Sequence, residues 1–113
     1  MSSTIRLCGE LAPWPSRDAL AELLRAAGLQ VTVGQHSLRV ADCAHFVFQD
    51  FGQPTGEPSL DADAPDLAAM LRDAGRVSAA LAEAGVRHRF ELYDEADQLV
   101  GYLHHGWPST KPA

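Results

Sequence analysis

Two amphipathic helical segments interrupt a chain whose other patterns are short and alternating, and this order limits the folds open to it. The first helix is predicted over 17–27, between an N-cap at Ser16 and Gly28, which suits the left-handed position after a helix. The second is predicted from a cap at Asp63 to Gly85. Apolar positions recur at three- and four-residue spacing: Leu20, Leu23, Leu24 and Ala27 in the first helix, and Leu67, Met70, Leu71, Ala74, Val77, Ser78, Leu81 and Ala84 in the second.

Alternating or β-branched and aromatic segments around these helices predict strands. They lie at 4–11, 29–33, 38–40, 45–49, 86–93 and 99–104. Segment 51–63 contains two glycines and two prolines and is predicted as the longest loop. The order β-α-β-β-β-α-β-β therefore predicts an α+β domain. Both helices are expected on one face of an antiparallel-rich sheet that is ferredoxin-like in plan.

The length of 113 residues predicts a single domain over 1–108 and a loose tail at 109–113. A hydrophobic fraction of 46% and a charged fraction of 21% are typical of a globular protein and argue against a disordered one. Cys8 and Cys43 are too few for a disulfide scaffold. We expect both to be free, buried thiols in a cytoplasmic protein.

Charge and hydropathy argue against two classes of partner. Nine basic residues face fifteen acidic ones, for a net charge of −6, and Lys111 is the sole lysine. A chain without a basic run gains little affinity from releasing DNA counterions, so nucleic-acid binding is not expected. No apolar run approaches the length of a membrane-spanning helix, so no membrane partner is expected either.

Acidic residues cluster in two places that are distant in the sequence. Turns and helix starts attract Asp because its side chain caps backbone N–H groups. Alternatively, an acidic rim attracts a basic partner and speeds association. The two groups are Glu57, Asp61 and Asp63 before the second helix, and Asp94, Glu95 and Asp97 in the last turn.

The end of the last strand combines aromatic and imidazole groups. Tyr102, His104 and Trp107 offer apolar area with a polar tip, which suits a recognition surface. His104 and His105 are adjacent on a strand and point to opposite faces, so the pair is not expected to bind one metal. Neither a metal-binding nor a cofactor motif is present, and no metal or cofactor is expected.

His88 is in phase with the apolar residues of its strand and is expected on the core side. Its neighbours Arg87 and Arg89 suit either an anion or a solvated face paired with acids such as Glu91. If the chain is an enzyme, the candidate acid/base residues are His88, His45 and His104.

Two functions follow as expectations, and no stretch carries a family motif. A small acidic α+β chain without a catalytic signature is similar in these general properties to bacterial immunity proteins and related inhibitors. The first expectation is therefore a module that occludes a partner protein, such as a toxin or nuclease. The second is a small, dimeric enzyme or ligand-binding protein with a histidine acid/base in a pocket between sheet and helices.

Overall fold

The computed structural model describes residues 4–43, 45–49 and 58–107, which form an antiparallel sheet with two helices packed against it. Within these residues the chain order is β1 (Ile5–Leu11), α1 (Arg17–Ala26), β2 (Val31–Val33), β3 (Leu38–Val40), β4 (His45–Gln49), β5 (Ser59–Ala64), α2 (Leu67–Glu83), β6 (His88–Tyr93) and β7 (Leu99–His105). The order of strands in the sheet is β2-β3-β4-β5-β1-β6-β7. The first strand of the chain thus lies inside the sheet, between β5 and β6.

The core lies between the sheet and the helices, and alternate strand residues point into it. On β1, Ile5, Leu7 and Leu11 are buried while Arg6, Cys8 and Glu10 are exposed, as the alternation predicts. Gly9 completes this buried side because a Cβ there would lie 2.4 Å from a methyl carbon of Leu60. Three fully buried phenylalanines form the aromatic centre of the core: Phe46, Phe48 and Phe90.

The two helices begin at side-chain caps and end before glycine. Ser16 Oγ accepts a hydrogen bond from the Ala19 N–H at 3.1 Å, which confirms the predicted start of α1. The cap of α2 is Asp66, whose Oδ1 accepts from the Ala69 N–H at 2.8 Å. The predicted cap at Asp63 is wrong, because Asp63 lies within β5.

Strand β5 is the main departure from the predicted order. The prediction placed 51–63 in a loop, whereas Ser59–Ala64 is a strand that pairs with β4 on one side and β1 on the other. Its side chains alternate between exposed and buried. Asp and Ala are poor β-formers, so pairing with both neighbours, rather than intrinsic preference, determines this strand.

The buried face of α2 is rotated from the predicted one. Leu71 is 43% exposed, although the spacing placed it on the core face, and Asp73 is buried instead. Hydropathy alone does not predict a charged residue on that face. Gly75 lies within the same helix, and a Cβ there would meet nothing within 4 Å.

Some sequence-based predictions fall outside the described residues. These are Glu57, most of the predicted loop and the tail at 109–113. Neither α1 nor α2, the helices of the described ranges, is long and apolar enough to cross a membrane.

Candidate functional site

The candidate site is the face of the sheet opposite the helices, named the open face here. An antiparallel sheet can bury one side and leave the other in water, and no described element covers this second side. Its side chains come from six strands: Arg39 on β3; His45, Val47 and Gln49 on β4; Ser59, Asp61 and Asp63 on β5; Arg6, Cys8 and Glu10 on β1; Arg89, Glu91 and Tyr93 on β6; Tyr102 and His104 on β7.

Members of the two acidic groups predicted from the sequence lie on either side of Arg6 at one end of this face. Asp63 on β5 is the cross-strand partner of Arg6 on β1. The Arg6 guanidinium forms an ion pair with the Asp97 carboxylate in the β6–β7 turn. Glu95 in the same turn accepts a hydrogen bond from the Thr4 N–H, with 3.2 Å between Oε2 and N. Arg6 therefore lies between an acidic strand end and an acidic turn that are distant in sequence.

The turn itself explains why some of its acids are present. Asp94 Oδ1 accepts hydrogen bonds from the N–H groups of Ala96 at 2.9 Å and Gln98 at 3.0 Å. Asp97 has a φ of 61°, a left-handed conformation that Asp tolerates better than most residues. Asp94 thus shapes the turn, whereas the carboxylates of Glu95 and Asp97 contact the start of β1.

Arg89 organises the other end of the open face. Its guanidinium lies 2.9 Å from Glu10 Oε1 and 3.7 Å from Glu91 Oε2. The hydrogen bond to Glu10 raises the pKa of Arg89. Tyr93 donates its hydroxyl to Glu91 at 3.0 Å, and this bond raises the pKa of Tyr93. Of the two alternatives predicted for Arg89, the structure shows pairing with nearby acids, and two carboxylates share its one guanidinium.

The aromatic residues of the β7 end flank Arg89. The Arg89 guanidinium carbon lies 5.2 Å from the ring centre of Trp107, a cation–π distance. Tyr102 and His104 both point to the open face, with ring centres 5.2 Å apart. Tyr102 is 46% exposed and offers apolar area beside the charged rows.

His88 is enclosed in the core, and its hydrogen bonds define its tautomer. Its Nδ1 lies 3.0 Å from the Val86 carbonyl, which only accepts, so Nδ1 carries the proton. Nε2 then accepts the Ser78 hydroxyl proton at 2.7 Å. Burial lowers the pKa of His88, and the nearby His105 adds to this effect. A neutral, fully buried imidazole has no contact with solvent here, as its position on the apolar side of β6 predicts.

The three candidate acid/base histidines are not brought together. His45 lies on the open face with Nε2 3.2 Å from Asp61 Oδ2. His104 is also on that face, but β5, β1 and β6 separate β7 from β4. His88 lies on the other side of the sheet. The structure therefore holds no cluster made of His45, His88 and His104.

Sequence reasoning missed two features of the open face. Arg6 was not singled out, although its place on the polar side of β1 is the signal that could have found it. Cys8 was expected to be buried but is exposed, because it lies on that same polar side. Cys43 is buried as expected, and burial, with Asp73 nearby, raises the pKa of its thiol to about 11.

A groove beside α2 does not form a second candidate site. The groove lies between the helix ends and has a volume of about 240 Å³; it is lined by Ala27, Leu29, Arg76, Ala79, Ala80 and Glu83, without a histidine. In residues 4–43, 45–49 and 58–107, no three His, Cys, Asp or Glu side chains group closely enough to hold a metal ion.

No family model, curated protein or solved structure matches the chain. The case for a function thus depends on the geometry of the open face.

Proposed function

We propose that the chain is a protein-binding module that presents the acidic end of its open face to a basic patch on a partner protein. The observation that carries this proposal is that three carboxylates lie near Arg6: Asp97 pairs with its guanidinium, Asp63 is its cross-strand partner, and Glu95 accepts the Thr4 N–H two residues before it. Carboxylates outnumber the base at this end of the sheet. An excess of one charge on an exposed surface attracts the opposite charge and rejects the same charge.

Tyr102, His104 and Trp107 complete the proposed surface. The acidic end provides steering before contact, because exposed charges act over a Debye length of about 8 Å at physiological salt. Aromatic side chains act after encounter, when their burial slows dissociation. The open face combines both on one sheet, and its rigid strands lose little conformational freedom on binding.

The partner class we favour is a toxin or nuclease, which the module would occlude in the cytoplasm. Proteins that bind nucleic acid concentrate Lys and Arg at their phosphate-binding surface. An acidic sheet face is complementary to such a surface and would compete with phosphate for it. The free thiols of Cys8 and Cys43 suit a reducing compartment.

We also propose that the sheet is an elaborated ferredoxin-like plan. The observed order places β6, β1, β5 and β4 side by side, with α1 and α2 as the two crossover helices. A split β-α-β-β-α-β unit has this arrangement. The β2–β3 hairpin and β7 would then be additions at the two edges.

The leading proposal is tested in two stages. First, Tyr102 is replaced by a photoreactive phenylalanine analogue to trap proteins that contact the open face, with the same analogue at Glu22 on α1 as the control. Second, the trapped protein is purified and its binding kinetics are measured by surface plasmon resonance. Asp63→Asn with Asp97→Asn should lower the on-rate roughly threefold to tenfold at low salt and weaken its salt dependence.

The matched control keeps the charge change but moves it off the open face. Glu22→Gln with Glu83→Gln removes two exposed carboxylates from the helices and should leave the on-rate near that of the wild type. Trp107→Ala should speed dissociation instead. Equal on-rates for the two double variants, or on-rates that ignore salt, would contradict the proposal. Trapping from Glu22 but not from Tyr102 would contradict it as well.

A second candidate is the enzyme or ligand-binding protein with a histidine acid/base, and one contact favours it. The Ser78 hydroxyl and His88 Nε2 are 2.7 Å apart, within the reach that a nucleophile and its base require. Such a role needs a conformation that opens the core to substrate. Native-state modification of His88 by diethyl pyrocarbonate at a rate near that of His104 would support it, and full protection would oppose it.

A further inference from the structure

β7 is an edge strand with one unpaired backbone side. It pairs with β6 and has no second neighbour among the described residues. It is seven residues long, whereas the strand at the opposite edge, β2, has three. An unpaired row of N–H and C=O groups on a long strand is a template for another strand.

The usual protections of an edge are weak on β7. Monomeric proteins shorten their edge strands, or place charge or proline on them. Leu99–His105 contains neither proline nor an Asp, Glu, Lys or Arg residue. Leu99, Val100 and Tyr102 are 56%, 37% and 46% exposed. The register shift against β6 lies opposite Leu92 and Tyr93, at the Leu99 end, and the remaining ladder to His105 is regular.

The two ends of β7 carry opposite charge. The turn before it holds the carboxylates of Asp94, Glu95 and Asp97. At its other end, just beyond His104 and His105, the cationic Arg87 packs beside Gly106, where a Cβ would lie 3.0 Å from Arg87 Cγ. An antiparallel neighbour of the same sequence would place its acidic end beside this basic end. A parallel one would place like charges together.

We propose that β7 pairs antiparallel with β7 of a second copy of this chain, which joins the two sheets into one. The two copies are related by a two-fold axis perpendicular to the sheet, and the two β7 strands overlap along their whole length. This arrangement places Tyr102 opposite Tyr102 of the second copy. Gly101 then faces Leu103 of the second copy, and Val100 faces His104. This pairing is edgewise and leaves the open face uncovered. It does not depend on the proposed partner protein.

The charge distribution favours a second copy of this chain as the strand that pairs with β7. The chain has a net charge of −6, so two copies repel wherever their acidic surfaces meet. The uncharged edge with oppositely charged ends is a place where two copies can approach without that cost. A main-chain ladder then provides affinity, and the cross-strand pairs of Tyr102 provide register.

The first test is the oligomeric state of the full chain by sedimentation velocity over a concentration series. The wild type should form a dimer whose dissociation constant rises with salt, because the end charges are exposed. Tyr102→Lys places like charges opposite each other and should weaken the dimer by about tenfold or more. Thr32→Lys, on the opposite edge strand β2, is the matched control and should leave it intact.

The second test reads the register by disulfide trapping in a Cys8→Ser background. Opposite residues in an antiparallel pair have Cα atoms about 4.5–5.5 Å apart, within disulfide range. Tyr102→Cys should therefore cross-link to itself. Val100→Cys and His104→Cys should each stay uncross-linked, because their copies lie about 13 Å apart along the strand, yet a mixture of the two should cross-link.

The two tests are independent, so a folding defect in the lysine variant leaves the trapping result decisive. A monomer at every concentration together with no cross-linking at Tyr102→Cys would overturn the proposal. Efficient self-cross-linking of Val100→Cys would overturn it too, since that pattern belongs to another register or to parallel strands.

Discussion

Phe90 and Glu91 are neighbours on β6, yet one is fully buried beneath the helices and the other lies on the open face beside Arg89. The helix-covered face is apolar and close-packed, with three phenylalanine rings at centre distances near 6 Å. The open face carries exposed ion pairs, such as Arg89 with Glu10 across strands and Arg6 with Asp97 in the turn. Burial of apolar area stabilises the first face, while exposed pairs contribute little to the second. Substitutions on the open face are therefore expected to cost less stability than substitutions in the core.

The largest expected effect is on the helix-covered face. Phe90→Ala should reduce the free energy of unfolding by about 3–5 kcal/mol, because it removes a buried ring and leaves a cavity. Glu91→Ala, one residue along the same strand, should cost about 0.5 kcal/mol or less. Urea denaturation of both variants measures the difference. Similar losses for the two would remove the contrast between the faces.

Helix α2 offers the same contrast within one element. Leu81 is fully buried and Leu71 is 43% exposed, so Leu81→Ala should cost about 2–5 kcal/mol and Leu71→Ala less than about 1 kcal/mol. The two substitutions remove the same atoms from one helix, which cancels differences in helix propensity. A larger loss of unfolding free energy for Leu71→Ala than for Leu81→Ala would show that Leu71 lies on the buried face, as the spacing of apolar residues predicts.

The next prediction concerns pH. Burial lowers the pKa of His88 below its ordinary value of 6.5, so the unfolded chain takes up the proton more readily than the folded one. The stability that neutral His88 contributes is complete above pH 6.5 and is lost as pH falls toward the lower folded pKa. The neighbouring imidazoles of His105 and His104 lower the pKa of His88 further.

Chemical denaturation from about pH 8 to about pH 5 measures this effect. His88→Gln should be less stable at the higher pH but should lose less stability on acidification than the wild type. Gln98→Ala, in the exposed β6–β7 turn, removes no titratable group and is the control; its stability should depend on pH as that of the wild type does. Parallel curves for wild type and His88→Gln would show that His88 does not titrate differently on folding.

At Gly75 a substitution is expected to raise the stability of the protein slightly rather than lower it. It lies inside α2 with open space where a Cβ would be, so Gly75→Ala should stabilise the protein by about 0.5–1 kcal/mol. Gly85→Ala should destabilise it, because Gly85 has a φ of 77°. Thermal melts distinguish the two. A loss at Gly75 would mean that the helix packs more closely there than its geometry indicates.

The smallest expected effect is at the acidic end of the open face. Asp97→Asn removes an exposed ion pair with Arg6 while keeping a residue that tolerates a φ of 61°, so it should cost less than about 1 kcal/mol. That cost should disappear in high salt. Asp94→Ala loses two hydrogen bonds to backbone N–H groups and should cost about 1 kcal/mol regardless of salt. If the loss of stability in Asp97→Asn does not depend on salt, Asp97 contributes to the turn conformation and its ion pair with Arg6 contributes nothing measurable.

Several elements follow from local signals that the sequence carries by itself. The alternation of β1, the Ser16 cap and the β6–β7 hairpin were all predicted, and each depends on a few adjacent residues. His88 was placed on the buried side for the same reason, since the period of a strand is two. Local periodicity is a property of the backbone geometry and can be recognised without knowing the partners.

Other features were decided by the tertiary structure. The segment at Ser59–Ala64 has poor β-formers and becomes a strand because β4 and β1 both pair with it, which in turn moves the helix cap to Asp66. On α2, Asp73 is buried and Leu71 is exposed, an exchange that hydropathy does not predict. The meeting of Asp63, Arg6 and Asp97 depends on β1 lying between β5 and β6. Strand order depends on which long-range pairings bury the most apolar area together, and no local window of sequence contains that comparison.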